Sequence, residues 1–431
     1  MKKRQVDDMA IRDTVKKKYR KRVIDSELSD LLKAFGGVLI VGPKWCGKSW
    51  TASRQSKSEI FIDMAQNRER ALLLPESVLE GETPRLIDEW QDAPILWDAA
   101  RREIDSRHAP GQFIFTGSTA PPKEKTSHTG TGRFARLRMR TLSLFESGDS
   151  TGHVSLKKLF SDGAVSPAAS PLDFPGVVAL MCKGGWPASF WVDEEAAYRI
   201  PKEYINAIAE VDMSAVDGVA KNPSRVAQFL RSLARNTATE AKMSTIGRDM
   251  REDGNDMSGQ TVRSYYDALK RLYAVEEQDA WLPSLRSKTR MRTSPKRHFA
   301  DPSLAVAALG ATPSLILQDV RTAGFLFESM CYRDISVYAE AIGGKVFYYR
   351  DENGLEADAI IQLPDGRWAA IEVKLGTFEF DAAAANLISL REKLSGDVSA
   401  PSFLAILTAT SGMCYERDDG VLVIPLDLLG P

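Results

Sequence analysis

Apolar positions along the chain follow two rhythms. Short unbroken runs, Val38-Leu39-Ile40-Val41 and Phe403-Leu404-Ala405-Ile406-Leu407, predict strands buried on both faces. Further strands are expected at Arg85-Leu-Ile-Asp88, at Gln112-Phe-Ile-Phe-Thr116 and across the alternating stretch 134–144, which carries arginines along one side. Helical spacing governs the middle. Residues 176–215 predict helices interrupted at Gly184-Gly185-Trp186-Pro187, whereas 147–175, rich in Gly, Ser, Pro and Ala, read as a connection. Val226, Phe229, Leu230 and Leu233 mark one helix, and Ile246 to Met250 a short second one. Val262, Tyr266, Leu269 and Tyr273 mark a third, which starts after the N-cap candidate Ser258. Beyond Glu328, the stretches from Lys345, Leu355 and Ala370 predict a strand meander.

A length of 431 residues suits two to four domains, and 43% hydrophobic with 27% charged residues is globular composition rather than disorder. No apolar run nears the ~20 residues of a membrane span. The basic N-terminus lacks the apolar centre of a secretory signal. Four scattered cysteines lack the paired spacing of a zinc site or disulfide framework, so a reducing cytoplasm is expected. The net charge of −1 conceals segregation. Residues 1–22 hold ten Lys/Arg against three Asp, and 286–298 hold six Lys/Arg and no acid, while nine Lys/Arg face seventeen Asp/Glu from 320 onward. A polyanionic partner is therefore not excluded by a neutral total.

The sharpest chemical signal is Gly42-Pro43-Lys44-Trp45-Cys46-Gly47-Lys48-Ser49, a G-x-x-x-x-G-K-[ST] loop between a predicted strand and a helix that runs on through Trp50. Glycines let backbone N–H groups curl round phosphate oxygens, and the helix N-terminus adds positive potential. Lys48 is expected to reach the β- and γ-phosphates of ATP and Ser49 to hold Mg²⁺, with Asp88 as metal carboxylate and Glu89 as the residue that polarises water. Thr116 and Ser118, at the end of the next strand, are candidate γ-phosphate sensors, although a Gly-Ser turn reads equally well. Arg133 and Arg136 are candidates for an arginine finger, which often acts from a neighbouring subunit.

Three helices followed by a strand pair around the basic run describe a winged helix-turn-helix. Its third helix offers Gln260, Arg263 and Lys270 to a DNA groove, and Arg286, Lys288, Arg290, Arg292, Lys296 and Arg297 would form the wing. Such modules also serve as protein-packing elements. Near the C-terminus, Asp358 and Glu372-Val-Lys374, with Glu328 from a preceding helix, resemble a PD-(D/E)XK site. In such a site carboxylates hold Mg²⁺ or Mn²⁺ and the lysine orients water for attack on a phosphodiester.

Taken together, GPKWCGKS, RLIDEWQ, FIFTGS, GRFARLRMRTLSLFE, GGWPAS, SPKRHFADPSL and the C-terminal elements resemble a bacterial and archaeal AAA+-like ATPase family fused to a C-terminal domain with a PD-(D/E)XK nuclease-like core. The resemblance implies a RecA-like αβα core, a small helical lid, nucleotide-dependent association and ring-like homo-oligomers, hexamers foremost. The expected organisation is a basic segment at 1–22, an α/β P-loop ATPase core at 23–150, the lid at 151–221, the winged helix at 222–318 and the nuclease-like α/β domain at 319–431. The leading functional expectation is a Mg²⁺-dependent, oligomeric ATPase that remodels or translocates duplex or branched DNA. An ATP-gated, metal-dependent endonuclease and a nucleotide-controlled switch that binds proteins are the alternatives.

Overall fold

The computed structural model describes residues 19–119, 130–250, 257–283 and 294–431. They divide into two units. The first holds the chain up to Thr141 with Ser214–Val219 and Arg271–Tyr273, and the second holds the remainder.

The first unit is built on helix α1 (Asp25–Ala34), strand β1 (Gly37–Val41), helix α2 (Lys48–Gln55), strands β2 (Ser58–Phe61) and β3 (Arg85–Asp88), helix α3 (Ile95–Arg107), and strands β4 (Phe113–Gly117) and β5 (Phe134–Arg138). The five strands form one parallel sheet in the order β2-β3-β4-β1-β5. Successive side chains on a strand point to opposite faces, so one apolar run supplies two cores. Leu39, Ile87, Phe113 and Phe115 join Trp90 and Trp97 on one side. Val38, Ile40, Leu86 and Ile114 join Leu28 and Leu32 of α1 on the other. The first core is strongly aromatic: Trp97 stacks on Phe134 with ring centroids 4.2 Å apart and lies 5.0 Å from Trp90. Burying apolar side chains on both faces of a parallel sheet, with large rings on one of them, fixes β1 and β3, and with them the loops that leave their C-terminal ends.

The second unit opens with helix α4 (Leu144–Ser147), whose N-terminus is closed by a capping box between Ser143 and Glu146. Strands β6 (Val154–Ser155) and β7 (Ala168–Ala169) follow. Helices α5 (Phe174–Lys183) and α6 (Arg199–Ala207) then occupy the region expected as a lid. Next come α7 (Pro223–Arg235), α8 (Met243–Arg248) and α9 (Gly259–Arg271), an antiparallel pair β8 (Val275–Gln278) and β9 (Lys296–Phe299), and helix α10 (Pro302–Leu309). Helices α5, α6 and α7 all pack against α10. The unit ends with helix α11 (Val320–Glu340), strands β10 (Lys345–Arg350), β11 (Glu356–Gln362) and β12 (Trp368–Lys374), helix α12 (Phe380–Leu394), and strands β13 (Leu404–Thr408), β14 (Met413–Glu416), β15 (Leu422–Pro425) and β16 (Leu429–Gly430). Its main sheet runs β10-β11-β12-β13-β15-β14-β7. The first three strands form the antiparallel meander expected from the sequence, and β12, β13 and β15 are parallel.

The stretch 147–175 is more than a connection. It supplies β7, which pairs with β14 at the sheet edge, and β6, which pairs in parallel with β16. Two-residue strands are too short to leave a period in the sequence, and Gly- and Ser-rich composition hid them.

Several motifs of the sequence turn out to be struts. Arg333 of α11 is 3% exposed and donates to Asp301 at 2.9 Å and to Asp334 at 2.7 Å. Asp301 caps α10 and also accepts the Gly185 N–H at 3.0 Å; Asp334 accepts the Leu144 N–H at 2.9 Å. Trp186 donates to Ser303 at 2.9 Å. The Gly-Gly-Trp-Pro and Asp-Pro-Ser segments are thus tied to α11 by a charge pair that is affordable in the interior only because each oxygen has a donor.

Candidate functional site

The loop 42–49 leaves β1 and enters α2 (Lys48–Gln55). Gly47 takes the left-handed conformation (φ 102°) immediately before the helix, and Trp45 lies at φ 63°. Gly42 passes so close to the neighbouring strand that a Cβ there would sit 2.1 Å from the Met139 carbonyl oxygen, a place only glycine fits. Lys48 is buried and donates to the carbonyls of Gly42 at 3.0 Å and Pro43 at 2.8 Å, which curls its ammonium back inside the loop. Cys46 and Pro43 are buried, Lys44 is half-buried, and Trp45 and Trp50 are exposed beside them.

Parallel pairing brings the acidic pair to this loop. Strand β3 ends level with β4, Asp88 opposite Thr116. Ser49 donates to Asp88 at 2.8 Å and Thr116 donates to the same carboxylate oxygen. Burial raises Asp88 to about 6, and the hydroxyls of Thr116 and Ser49 pull in the other direction. Glu89 leaves the strand in the left-handed conformation (φ 53°), which turns its side chain away from that of Asp88. Ser118 donates to it at 3.0 Å, and so does Gln91. Thr116 and Ser118 therefore donate to the two carboxylates, one each.

Gln91 was missed at the sequence level. Its amide nitrogen binds Glu89 while its carbonyl oxygen is buried with no hydrogen-bond donor. The Glu-Trp-Gln spacing was the available signal, since a short helical turn after a left-handed residue brings position i+2 back to i. Arg22 closes the basic segment expected at 1–22, to which the sequence assigns no role. It is 4% exposed and donates to the Cys46 carbonyl at 2.9 Å and the Arg140 carbonyl at 2.8 Å, bracing the loop from behind.

The two arginine candidates part company. Arg133 stands at the start of β5, level with the start of β1, and pairs with Asp105 at 2.9 Å. That is the end of the sheet away from the loop. Arg136 lies mid-strand, opposite Leu39, and is exposed.

Hard oxygen donors at Ser49 and Asp88, beside an amide-lined loop with a lysine inside it, fit a triphosphate with a divalent cation. Those two residues would hold the metal.

In the second unit, Glu328 of α11, Asp358 of β11 and Glu372 and Lys374 of β12 come together as the sequence predicts, with an unexpected member. Lys296 of β9 lies 2.6 Å from Glu328 and 3.3 Å from Asp358. Lys374 lies 2.7 Å from Glu372 and 3.8 Å from Asp358. Asn386 of α12 donates to Glu372 at 2.6 Å and the Val373 N–H to Asp358 at 2.9 Å. Burial, with the charge on Asp358, raises Glu328 to about 8 and Glu372 to about 7. Burial also pushes Asp358 up, but Lys296 and Lys374 together outweigh it and hold Asp358 below the usual range. Three carboxylates share two ammonium ions, so a proton on Glu328 or Glu372 brings the cluster to neutrality. Among the described residues, no three His, Cys, Asp or Glu side chains are grouped so as to hold a metal ion.

Lys296 and Arg297 are thus corrected from exposed wing residues to buried ones. Arg297 donates to the Ala241 carbonyl and lies over the Tyr266 ring at 5.4 Å. The basic run reads in the sequence as a wing offered to DNA, whereas β9 is buried along its whole length. Arg286, Lys288, Arg290 and Arg292 lie outside the described residues. Gln260, Arg263 and Lys270 share one exposed face of α9, where Lys270 pairs with Glu277 at 2.7 Å.

Residues 35–147 match the model of an AAA domain. The core is a P-loop ATPase fold. Residues 176–315 and 323–429 match two separate domains of unknown function, DUF8612 and DUF4143. Among solved structures, the chain is similar to the Walker-type ATPase paby2304 of Pyrococcus abyssi, with 14% identity, coverage of 66% of this chain and 94% of that one, and a TM-score of 0.40. It is also similar to DnaA of Aquifex aeolicus in its AMPPCP-bound form, at 12% identity, 57% and 86% coverage, and a TM-score of 0.27. No curated protein matches the chain. Among the described residues, no helix is long and apolar enough to cross a membrane.

Proposed function

We propose that the first unit binds and hydrolyses ATP with Mg²⁺. The observation that carries this reading is the pairing of roles at the end of β3: Asp88 is joined to Ser49 of the phosphate loop, and Glu89 is turned aside and held by Ser118 and Gln91. Backbone N–H groups of residues 42–49 would bind the phosphates, and Lys48 would exchange its two carbonyl partners for phosphate oxygens. Magnesium, when bound, neutralises charge on the phosphates. Glu89 would accept a proton from the attacking water, with Ser118 and Gln91 fixing the direction of its lone pairs. Purified protein should release phosphate from ATP in the presence of Mg²⁺, and Glu89→Gln should retain ATP without turning it over. Absence of heat when a non-hydrolysable ATP analogue is titrated into folded protein would remove the proposal.

A second reading concerns what hydrolysis acts upon. The order of three helices and a strand pair in α7 to β9, with Gln260 and Arg263 exposed on α9, supports duplex or branched DNA as the partner. A homo-oligomer, hexamers foremost, with Arg136 completing a neighbour's site, belongs to the same proposal. ATP turnover that no DNA structure stimulates would count against it. The C-terminal cluster receives no cleavage step.

A further inference from the structure

The carboxylates that resemble a nuclease centre already have cations between them. Mg²⁺ keeps several waters and takes one or two carboxylate oxygens at about 2.0–2.1 Å in a near-octahedral set, so those oxygens must be free of other cations to receive it. Here Asp358 Oδ1 and Glu328 Oε1 both face the Lys296 ammonium, Glu372 Oε2 faces Lys374, and Glu372 Oε1 faces Asn386. Asp358 Oδ2 is taken by the Val373 N–H. Lys296 is itself firmly placed. Its strand is paired with β8 in the register Gln278 opposite Lys296, the Tyr348 hydroxyl donates to the Ser294 carbonyl at 2.7 Å, and the ammonium lies 5.7 Å from the centre of the Tyr348 ring. Gln278 adds a further tie, donating to the carbonyls of Asp358 and Phe347 at 2.8 and 2.9 Å while accepting from buried His298 at 3.0 Å.

We infer that Lys296 is the resident cation of this cluster: its ammonium occupies the position between Glu328 and Asp358 that a divalent metal would require, so the site excludes Mg²⁺ and Mn²⁺. The carboxylates then serve to lock β9 onto β11 and α11. An ammonium and a metal ion compete here for the same two oxygens, and the covalently delivered one is present at all times. The inference is independent of the ATP reading, since it involves neither the phosphate loop nor Asp88.

Electron paramagnetic resonance of Mn²⁺, titrated into full-length protein carrying Asp88→Asn to silence the first unit, tests it. With Lys296 intact, adding Asp358→Asn should leave the bound Mn²⁺ unchanged. Lys296→Met should gain one Mn²⁺ per chain at roughly tenfold or greater affinity, and lose it again when Asp358→Asn is added. An Asp358-dependent ion in protein that retains Lys296 would overturn the inference, as would a folded Lys296→Met protein that gains none. Lys296→Gln repeats the measurement should the methionine variant fail to fold, and the arm with Lys296 intact is decisive without either.

Discussion

Asp88 shows at the residue scale how a single environment serves two purposes. Burial lifts its carboxyl from 3.8 to about 6, so the ionised form is disfavoured in the fold relative to the unfolded chain. Its contribution to stability is complete below about pH 4 and is lost as pH rises through 6 in metal-free protein. Thermal melts between pH 4 and 7 should show that decline, and Asp88→Asn should flatten it. Mg²⁺ takes the ionised form, so its affinity should fall as pH drops below about 6. Glu89 depends on its neighbours in another way. Gln91→Ala leaves Ser118 to hold Glu89; if Glu89 is the base, turnover should fall about ten- to a hundredfold with ATP affinity unchanged. Lys48→Ala should instead abolish binding, as calorimetry would register. The juxtaposition of loop 42–49 with Asp88 and Glu89 was legible in the sequence, because a strand end, a glycine loop and two adjacent acids stand at fixed spacing. Lys296 was not. A lysine in a basic run reads as solvated until the fold delivers it to Glu328, which is 32 positions away.

At the scale of elements, β1, β3 and β4 were predictable from apolar runs, β5 and the meander of the second unit from alternation, and β2 left no signal that was read. Their supports were less so. Trp97 of α3 packs on Phe134 and Trp90, and Trp97→Ala should cost about 3–5 kcal/mol in chemical denaturation of the first unit. Arg333 of α11 joins segments that the sequence divides among the ATPase core, the lid and the winged helix. Arg333→Ala leaves Asp301 and Asp334 buried without their partner and should destabilise the second unit by about 3–5 kcal/mol. Neither contact leaves a periodic trace, since both join residues far apart in the chain.

For the whole molecule, charge segregation and the exposed face of α9 set the expectations. If DNA is the partner, each phosphate contact releases counterions, so binding should weaken steeply with salt, and Arg263→Ala should reduce the slope by about one. If Arg136 completes a neighbour's site, Arg136→Ala protein should be inactive alone and regain turnover when mixed with Lys48→Ala protein, measured as phosphate release across mixing ratios. The last strands bear on how the chain is made. Val154-Ser155 finds its partner only at Leu429-Gly430, and Ser155 donates to Pro431, 276 positions later. At synthesis rates of about 5–20 residues per second, that edge waits on the ribosome for roughly 14–55 s. Throughout that interval the edge that β16 will cover has unpaired N–H and C=O groups, and an unpaired edge is where a strand of another chain can add.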